Sequence, residues 1–295
     1  MDRKEVLARN VAVLSDLSDK EKRMRKDDSR LPSVDAVKRI IELLRQIFFP
    51  GFFGAEICSR ESRFYRVGVN MELLVKELEE QIMLSFSSFN GGKTKEEVEQ
   101  ITLQFIDRVP EIKRVLYTDI EAMFNSDPAV TSHGEIIFCY PIVQVMVHYR
   151  VAHELLKLKV PVLPRIITEM AHSATGIDIH PGAEIGEYFS IDHGTGVVIG
   201  ETCIIGNHVT LYQGVTLGAK KFTYNDNGQP VNVPRHPIIE DNVTVYSNSS
   251  ILGRITIGHD TVVGGNIWLT ESVKPYSRII QQKAVAETFS DGAGV

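Results

Sequence analysis

The chain has 295 residues, 43% of them hydrophobic, and a formal net charge of -6. That length has room for two domains and a core of ordinary size. The acidic balance and the lack of an extended basic block argue against nucleic acid as a partner, and no stretch approaches the roughly 18 apolar residues of a membrane span. Three scattered cysteines, Cys58, Cys139 and Cys203, form no CxxC pair, which fits reduced core thiols better than disulfides or a zinc site. The N-terminal stretch is charged throughout and lacks the apolar core of a signal peptide, so the expected location is the cytoplasm and no membrane is involved.

In chain order, the first half reads as helices. Ser33 is placed to cap a helix carrying Val34, Val37, Ile40, Ile41, Leu44 and Ile47, which stops at Pro50-Gly51. Asn70 is expected to open a second helix with Leu74, Leu78 and Ile82 on one face. Thr94 to Glu97 is a capping box ahead of Val98, Ile101, Phe105 and Ile106, and Glu111 to Phe124 repeats the helical spacing. A last helix is expected from about Ile142 to Leu158, with Pro161 and Pro164 marking the exit. The cluster Phe48, Phe49, Phe52 and Phe53 reads as packing rather than a ligand pocket, because aromatic residues at a helix end usually pack.

From Ile179 the period changes to six. Aliphatic residues recur at Ile179, Ile185 and Ile191, slip by two, and resume at Ile199, Ile205, Leu211 and Leu217. After an interruption they continue at Ile239, Val245, Ile251, Ile257, Val263 and Leu269. Period six is neither helical nor simple strand alternation. It is the signature of a hexapeptide β-helix, whose inward aliphatic side chains stack from coil to coil while Gly, Asn and Asp take the corners. The interruption, AKKFTYNDNGQPVNVPRHP, contains Asn-Gly and two of its three prolines in a polar run, and reads as an excursion out of the prism wall.

Acids and histidines gather at Asp178, His180, Asp192 and His193, where the repeat would accept small neutral residues. One coil takes about three hexads, so Asp178 and His193 fall on adjoining coils. A carboxylate bonded to one imidazole nitrogen leaves the other as a base, and a substrate hydroxyl would then be the nucleophile. By spacing alone solvated corners are the better reading, since corner Asp and His residues are often only solvated.

The runs TGIDIHPGAEIG and DHGTGVVIGET, the Arg235-His236-Pro237 triplet, Asp127-Pro128-Ala129 and Tyr149-Arg150-Val151-Ala152-His153 together resemble the serine O-acetyltransferase family, in its longer variety, from Pro32 to Lys274. The resemblance implies an α + β chain: an all-α domain over 1–165, a left-handed parallel β-helix of hexapeptide repeats over 166–275 with the excursion 219–236, and a tail, 276–295. It implies transfer of the acetyl group of acetyl-CoA to L-serine, the first step of L-cysteine biosynthesis. His193 would be the general base and Asp178 its orienting partner. Asp127 and Asp192 would hold the substrate ammonium, and Arg235 with His236 its carboxylate. Gly218, Ala219, Ser247 and Gly265 would line the coenzyme groove, and no metal is implied. It also implies feedback inhibition by L-cysteine and a homotrimer or dimer of trimers. Cysteine synthase is a further expected partner, through a tail ending in Val295 where the family ends in Ile. The chain departs from the family at Gly194 and Ser247, where alanine is usual, in its longer excursion loop, and after Pro275, where a GVPA turn is missing. Rival readings are a zinc site using His180, His193, His208 and His236, a different hydroxyl acceptor on the same scaffold, and an idle scaffold that only docks a partner.

Overall fold

The computed structural model of the chain describes residues 2–16, 18–24, 30–56 and 59–282; the expectations for Cys58 and for the tail end with Val295 lie outside them. Eight helices come first: α1 (Arg3–Ser15), α2 (Asp19–Met24), α3 (Val34–Phe48), α4 (Arg60–Phe89), α5 (Lys95–Ser126), α6 (His133–Cys139), α7 (Pro141–Lys157) and α8 (Leu163–Thr175). Contacts group the chain into two compact units, Met1–Arg108 with Leu155–Ile166, and Val109–Glu154 with Ile167–Val295.

In the first unit Ser33 caps α3 as expected, accepting the Ala36 N–H at 3.3 Å, while its own N–H donates to Gln81 of α4 at 2.8 Å. Val37, Ile40, Ile41 and Leu44 are buried, as are Leu74, Leu78 and Ile82 of α4, which packs on α3. Asn70 does not open that helix. Ser59 and Ser62 cap it reciprocally eleven residues earlier, and Asn70 is buried in mid-helix, donating to Gln46 at 3.2 Å. A tertiary partner has overridden its capping preference. The Thr94 capping box is present, with Thr94 and Glu97 exchanging bonds of 2.9 and 3.2 Å. The helix it starts runs unbroken through Pro110, joining two segments that the sequence separates. Phe48 and Phe49 are fully buried and meet edge to face at 6.4 Å, the packing role expected of them.

The second unit holds the solenoid. Its strands are β1 (Asp178–Ile179), β2 (Glu184–Ile185), β3 (Ser190–Asp192), β4 (Val198–Ile199), β5 (Ile204–Ile205), β6 (Thr210–Tyr212) and β7 (Thr216–Gly218). They continue as β8 (Ile238–Ile239), β9 (Thr244–Val245), β10 (Ser250–Leu252), β11 (Thr256–Ile257), β12 (Val262–Val263), β13 (Trp268–Leu269) and β14 (Arg278–Ile279). All pair in parallel, forming three walls: β1-β4-β7-β10-β13, β2-β5-β8-β11 and β3-β6-β9-β12-β14. Each of the thirteen aliphatic positions is the middle or last residue of its strand, and all but Ile185 and Leu269 are buried. Full burial of such a side chain contributes about 1.5–3 kcal/mol, so stacked ladders such as Ile179–Ile199–Leu217–Ile251 hold the coils together.

Three walls make three edges. The first edge, between the third and first walls, is built by residues 193–197, 213–215, 246–249 and 264–267. The second, between the first and second walls, comprises 180–183, 200–203, 219–237 and 253–255. The third edge carries stacked aromatic corners, such as Tyr188 on His208 at 4.4 Å.

Within the same unit α7 is fastened to the first coil through its backbone. Tyr149 donates to the Ala183 carbonyl at 2.6 Å, His153 to that of Pro181 at 2.8 Å, and Arg150 to that of Gly186 at 2.9 Å. Arg150 also forms a bidentate pair with buried Asp119 of α5 at 2.7 and 2.8 Å, and Asp119 accepts the Phe189 N–H. A buried ion pair is tolerated when its remaining donors and acceptors are satisfied in this way.

Candidate active site

His193 stands at the first edge, in the corner that the two-residue slip lengthens. The corner 193–197 has five residues where its neighbour 213–215 has three. His193 adopts φ 57° and Gly194 and Gly196 φ 80°, a left-handed run that leaves the imidazole exposed to solvent. The lengthened corner is thus a device for presenting a side chain.

Asp127 follows α5 in the same unit, and its carboxylate is clamped. Oδ1 accepts the Ala129 N–H at 2.8 Å, and Oδ2 accepts the Tyr140 hydroxyl at 2.7 Å. The Tyr140 bond, then the Ala129 amide, hold the Asp127 carboxyl below the usual carboxylate range, with a smaller electrostatic pull from His193. The same bond pushes the Tyr140 phenol up to about 12. Asp192, at the end of β3, acts electrostatically on Tyr140 and on Tyr212, which stacks on Tyr246 at 4.8 Å. Asp127, Tyr140, Asp192 and His193 therefore share one neighbourhood of negative charge, suited to a cationic group.

Asp178 opens β1, just past the first edge. Among the described residues it shares no hydrogen bond with His193; its carboxylate lies with Glu169 and His172, donor atoms mutually within 4.8 Å. That group is the only such His/Asp/Glu cluster among the described residues. Of the four histidines in the zinc reading, His193 stands on the first edge, His180 and His236 near the second, and His208 on the third.

Arg235 and His236 close the excursion at the second edge, where Thr202 anchors them. The Thr202 hydroxyl accepts both backbone N–H groups, at 2.9 and 3.1 Å, and lies 2.9 Å from His236 Nδ1. Nδ1 also accepts the Thr202 N–H at 3.1 Å, so the ring proton sits on Nε2. Burial, then the adjacent Arg235, drops the His236 pKa to about 4, which keeps the ring a neutral donor at physiological pH. Gly200 is required beneath it, because a Cβ there would collide with the ring. The Arg235 guanidinium donates to Glu201 at 2.6 Å and to Asn232 at 3.0 Å.

Ser247 and Gly265 continue the first edge above His193 on successive coils, the Asn266 N–H donating to the Ser247 carbonyl at 2.8 Å. Gly218 ends β7 and Ala219 begins the excursion on the second edge instead. There a cavity of about 190 Å³ is lined by Lys220, Lys221, Arg235 and Arg254 among others. Asp119, Tyr140, Glu201 and Thr202 escape sequence reasoning. Their only signal is a polar residue in or close to a recognised motif, with the partner 13 to 34 positions away.

No family model matches the chain. Over 275 residues it is 43% identical to a plasmid-borne serine acetyltransferase of Synechococcus elongatus, spanning 90% of this chain and 86% of that protein. It is 42% identical over 167 residues to the serine acetyltransferase of Bacillus subtilis, covering 57% and 73% of the two chains. The crystal structure of serine acetyltransferase isoform 3 from Entamoeba histolytica in complex with cysteine matches with a TM-score of 0.72 at 33% identity, covering 89% of this chain and 86% of that one. The first of these likenesses runs through the helical half as well as the solenoid, beyond what a shared hexapeptide repeat would produce, and the chain therefore belongs to the serine acetyltransferase family.

Proposed function

We propose that the chain transfers the acetyl group of acetyl-CoA to the hydroxyl of L-serine, giving O-acetyl-L-serine and CoA, in a single direct attack. His193 takes the hydroxyl proton as the serine oxygen bonds to the thioester carbonyl carbon. The tetrahedral intermediate then expels the CoA sulfur, which takes the proton back from the imidazolium. Asp178 orients the His193 ring. Asp127 and Asp192 receive the substrate ammonium, while the Arg235 fork and the Nε2–H of His236 receive its carboxylate. The observation that supports this most is the Asp127–Tyr140–Asp192–His193 neighbourhood, which joins a cation-binding pair to an exposed base in a member of this family.

His193 and Arg235 stand on different edges of one prism. One serine needs both, so the reading calls for a second copy whose second edge faces the first edge of its neighbour. A homotrimer, or a dimer of trimers, meets that need. Acetyl-CoA then runs along the first edge past Ser247 and Gly265, against the neighbour's Gly218, Ala219 and the basic cavity, whose cations suit its phosphates. L-cysteine, nearly isosteric with serine, would occupy the same acids and Arg235, and a cysteine complex is known for the Entamoeba histolytica relative. Such a reaction belongs to cysteine biosynthesis and to the cytoplasm; no described helix is long and apolar enough to cross a membrane.

Loss of the acetyl-CoA thioester absorbance, with L-serine, L-homoserine and a galactoside offered in parallel, tests the reading. Turnover with serine, suppressed by L-cysteine, is the expected result. Turnover with another acceptor alone would overturn the substrate assignment.

A further inference from the structure

We propose that Glu169, His172 and Asp178 form a binding site for a divalent transition cation of the zinc type, and that the bound ion keeps Asp178 from turning to His193. The second half rests on the orienting role given to Asp178 above; the first rests on geometry alone. Glu169 and His172 lie three positions apart on α8, which puts them on one helical face, and His172 Nδ1 is 3.4 Å from Glu169 Oε2. The helix ends at Thr175, whose hydroxyl donates to the Ala171 carbonyl at 2.7 Å, and Gly176 at φ 71° turns the chain back. Asp178 thereby returns beside the last helical turn, bringing all three donor atoms within 4.8 Å of one another.

That spacing and donor set fit a particular ion. Zinc binds nitrogen and oxygen at about 2.0–2.2 Å, so ligand atoms in a tetrahedral site lie roughly 3.3–3.5 Å apart. An ion bound there would draw the three donor atoms together from their present separations of up to 4.8 Å. One imidazole with two carboxylates favours zinc, cobalt or nickel over calcium and magnesium, which take all-oxygen shells. Glu169 is exposed and the other two residues are half-buried, which leaves an entry path and a fourth position for water. A cation held there competes for the same carboxylate oxygens that would face the His193 ring.

The test uses the full-length chain, stripped of metal in thiol-free buffer, titrated with Zn²⁺ by calorimetry and with Co²⁺ by visible absorption. One ion per chain is expected, with affinity weakened roughly tenfold or more by His172→Ala and by Glu169→Gln. Cys139→Ser, which removes an exposed thiol, should leave the affinity in place. Absence of stoichiometric binding, or binding indifferent to His172→Ala, overturns the site. In the activity arm Zn²⁺ should lower kcat with the midpoint of the binding isotherm. Zinc bound without loss of kcat would overturn the competition for Asp178 and leave the site standing. Failure of the metal-free protein to acetylate serine would strike the reading of its activity, while the binding arm still decides the site.

Discussion

Tyr140→Phe removes one oxygen and keeps the ring, so it isolates the clamp on Asp127. The lost bond, 2.7 Å from phenol to carboxylate, is charge-assisted, a class worth about 1.5–3 kcal/mol. Asp127 is half-buried, and in the free protein water replaces the phenol, which trims the loss to about 1–2 kcal/mol. At 1.4 kcal/mol per tenfold, the serine KM should rise roughly 5- to 30-fold. The acetyl-CoA KM and kcat should change little, because among the described residues the Tyr140 hydroxyl bonds Asp127 and not His193. Asp127 is depressed mainly by this bond, and a depressed carboxyl keeps its charge until the pH falls through its folded-state pKa. Without the phenol that pKa moves up, so loss of serine affinity on the acid side should begin at higher pH than in the parent. Steady-state kinetics across pH, followed by thioester absorbance, reads both effects. An unchanged serine KM, or an equal rise in the acetyl-CoA KM, would refute the assignment of Asp127 to the ammonium.

The other expected outcomes separate the remaining roles. His193→Ala should lower kcat by about 10²–10⁴-fold with coenzyme binding retained, and an unchanged kcat removes it from the mechanism. Arg235→Ala should raise the serine KM strongly; a change confined to the acetyl-CoA KM would contradict its carboxylate role. Gly200→Ala drives a methyl group into the His236 ring and should cost about 1–3 kcal/mol of stability, read as a lowered Tm together with a raised serine KM. Asp119→Ala strands the buried Arg150 guanidinium and should cost about 3–5 kcal/mol, read by chemical denaturation.

The solenoid was legible because its rule is local. An inward aliphatic residue every sixth position is a property of each hexad, so Ile179 to Leu269 could be assigned one strand at a time. Even the lengthened corner that carries His193 left a trace, as the two-residue slip before Ile199. The helical half was legible in its apolar faces and caps, and less so in its boundaries. Asn70 has the chemistry of a cap but spends it on Gln46, and Pro110 has the chemistry of a breaker inside a helix that continues past it. The helix α8 went unseen because Pro161 and Pro164 read as an exit, whereas Pro164 occupies its first turn, where a missing N–H costs nothing. Tyr140, Thr202 and Asp119 obey no period at all. Their partners are fixed by the fold, and only the fold reveals them.

The Thr202 anchor separates two quantities that usually vary together in a loop. The excursion turns back through Asn225, which caps the Gly228 and Gln229 amides, and most of its length is solvated. The backbones of Arg235 and His236 are held by a hydroxyl on the preceding coil, and the Arg235 guanidinium is braced by both Glu201 on that coil and Asn232 in the excursion. Residues added or removed near Asn227, away from Asn232, should therefore leave the Arg235-His236 pair in place, just as a tether can be lengthened while its far end stays pinned. Loop length becomes free to drift, or to be engineered, while the placement of the Arg235-His236 backbone stays in the keeping of the prism.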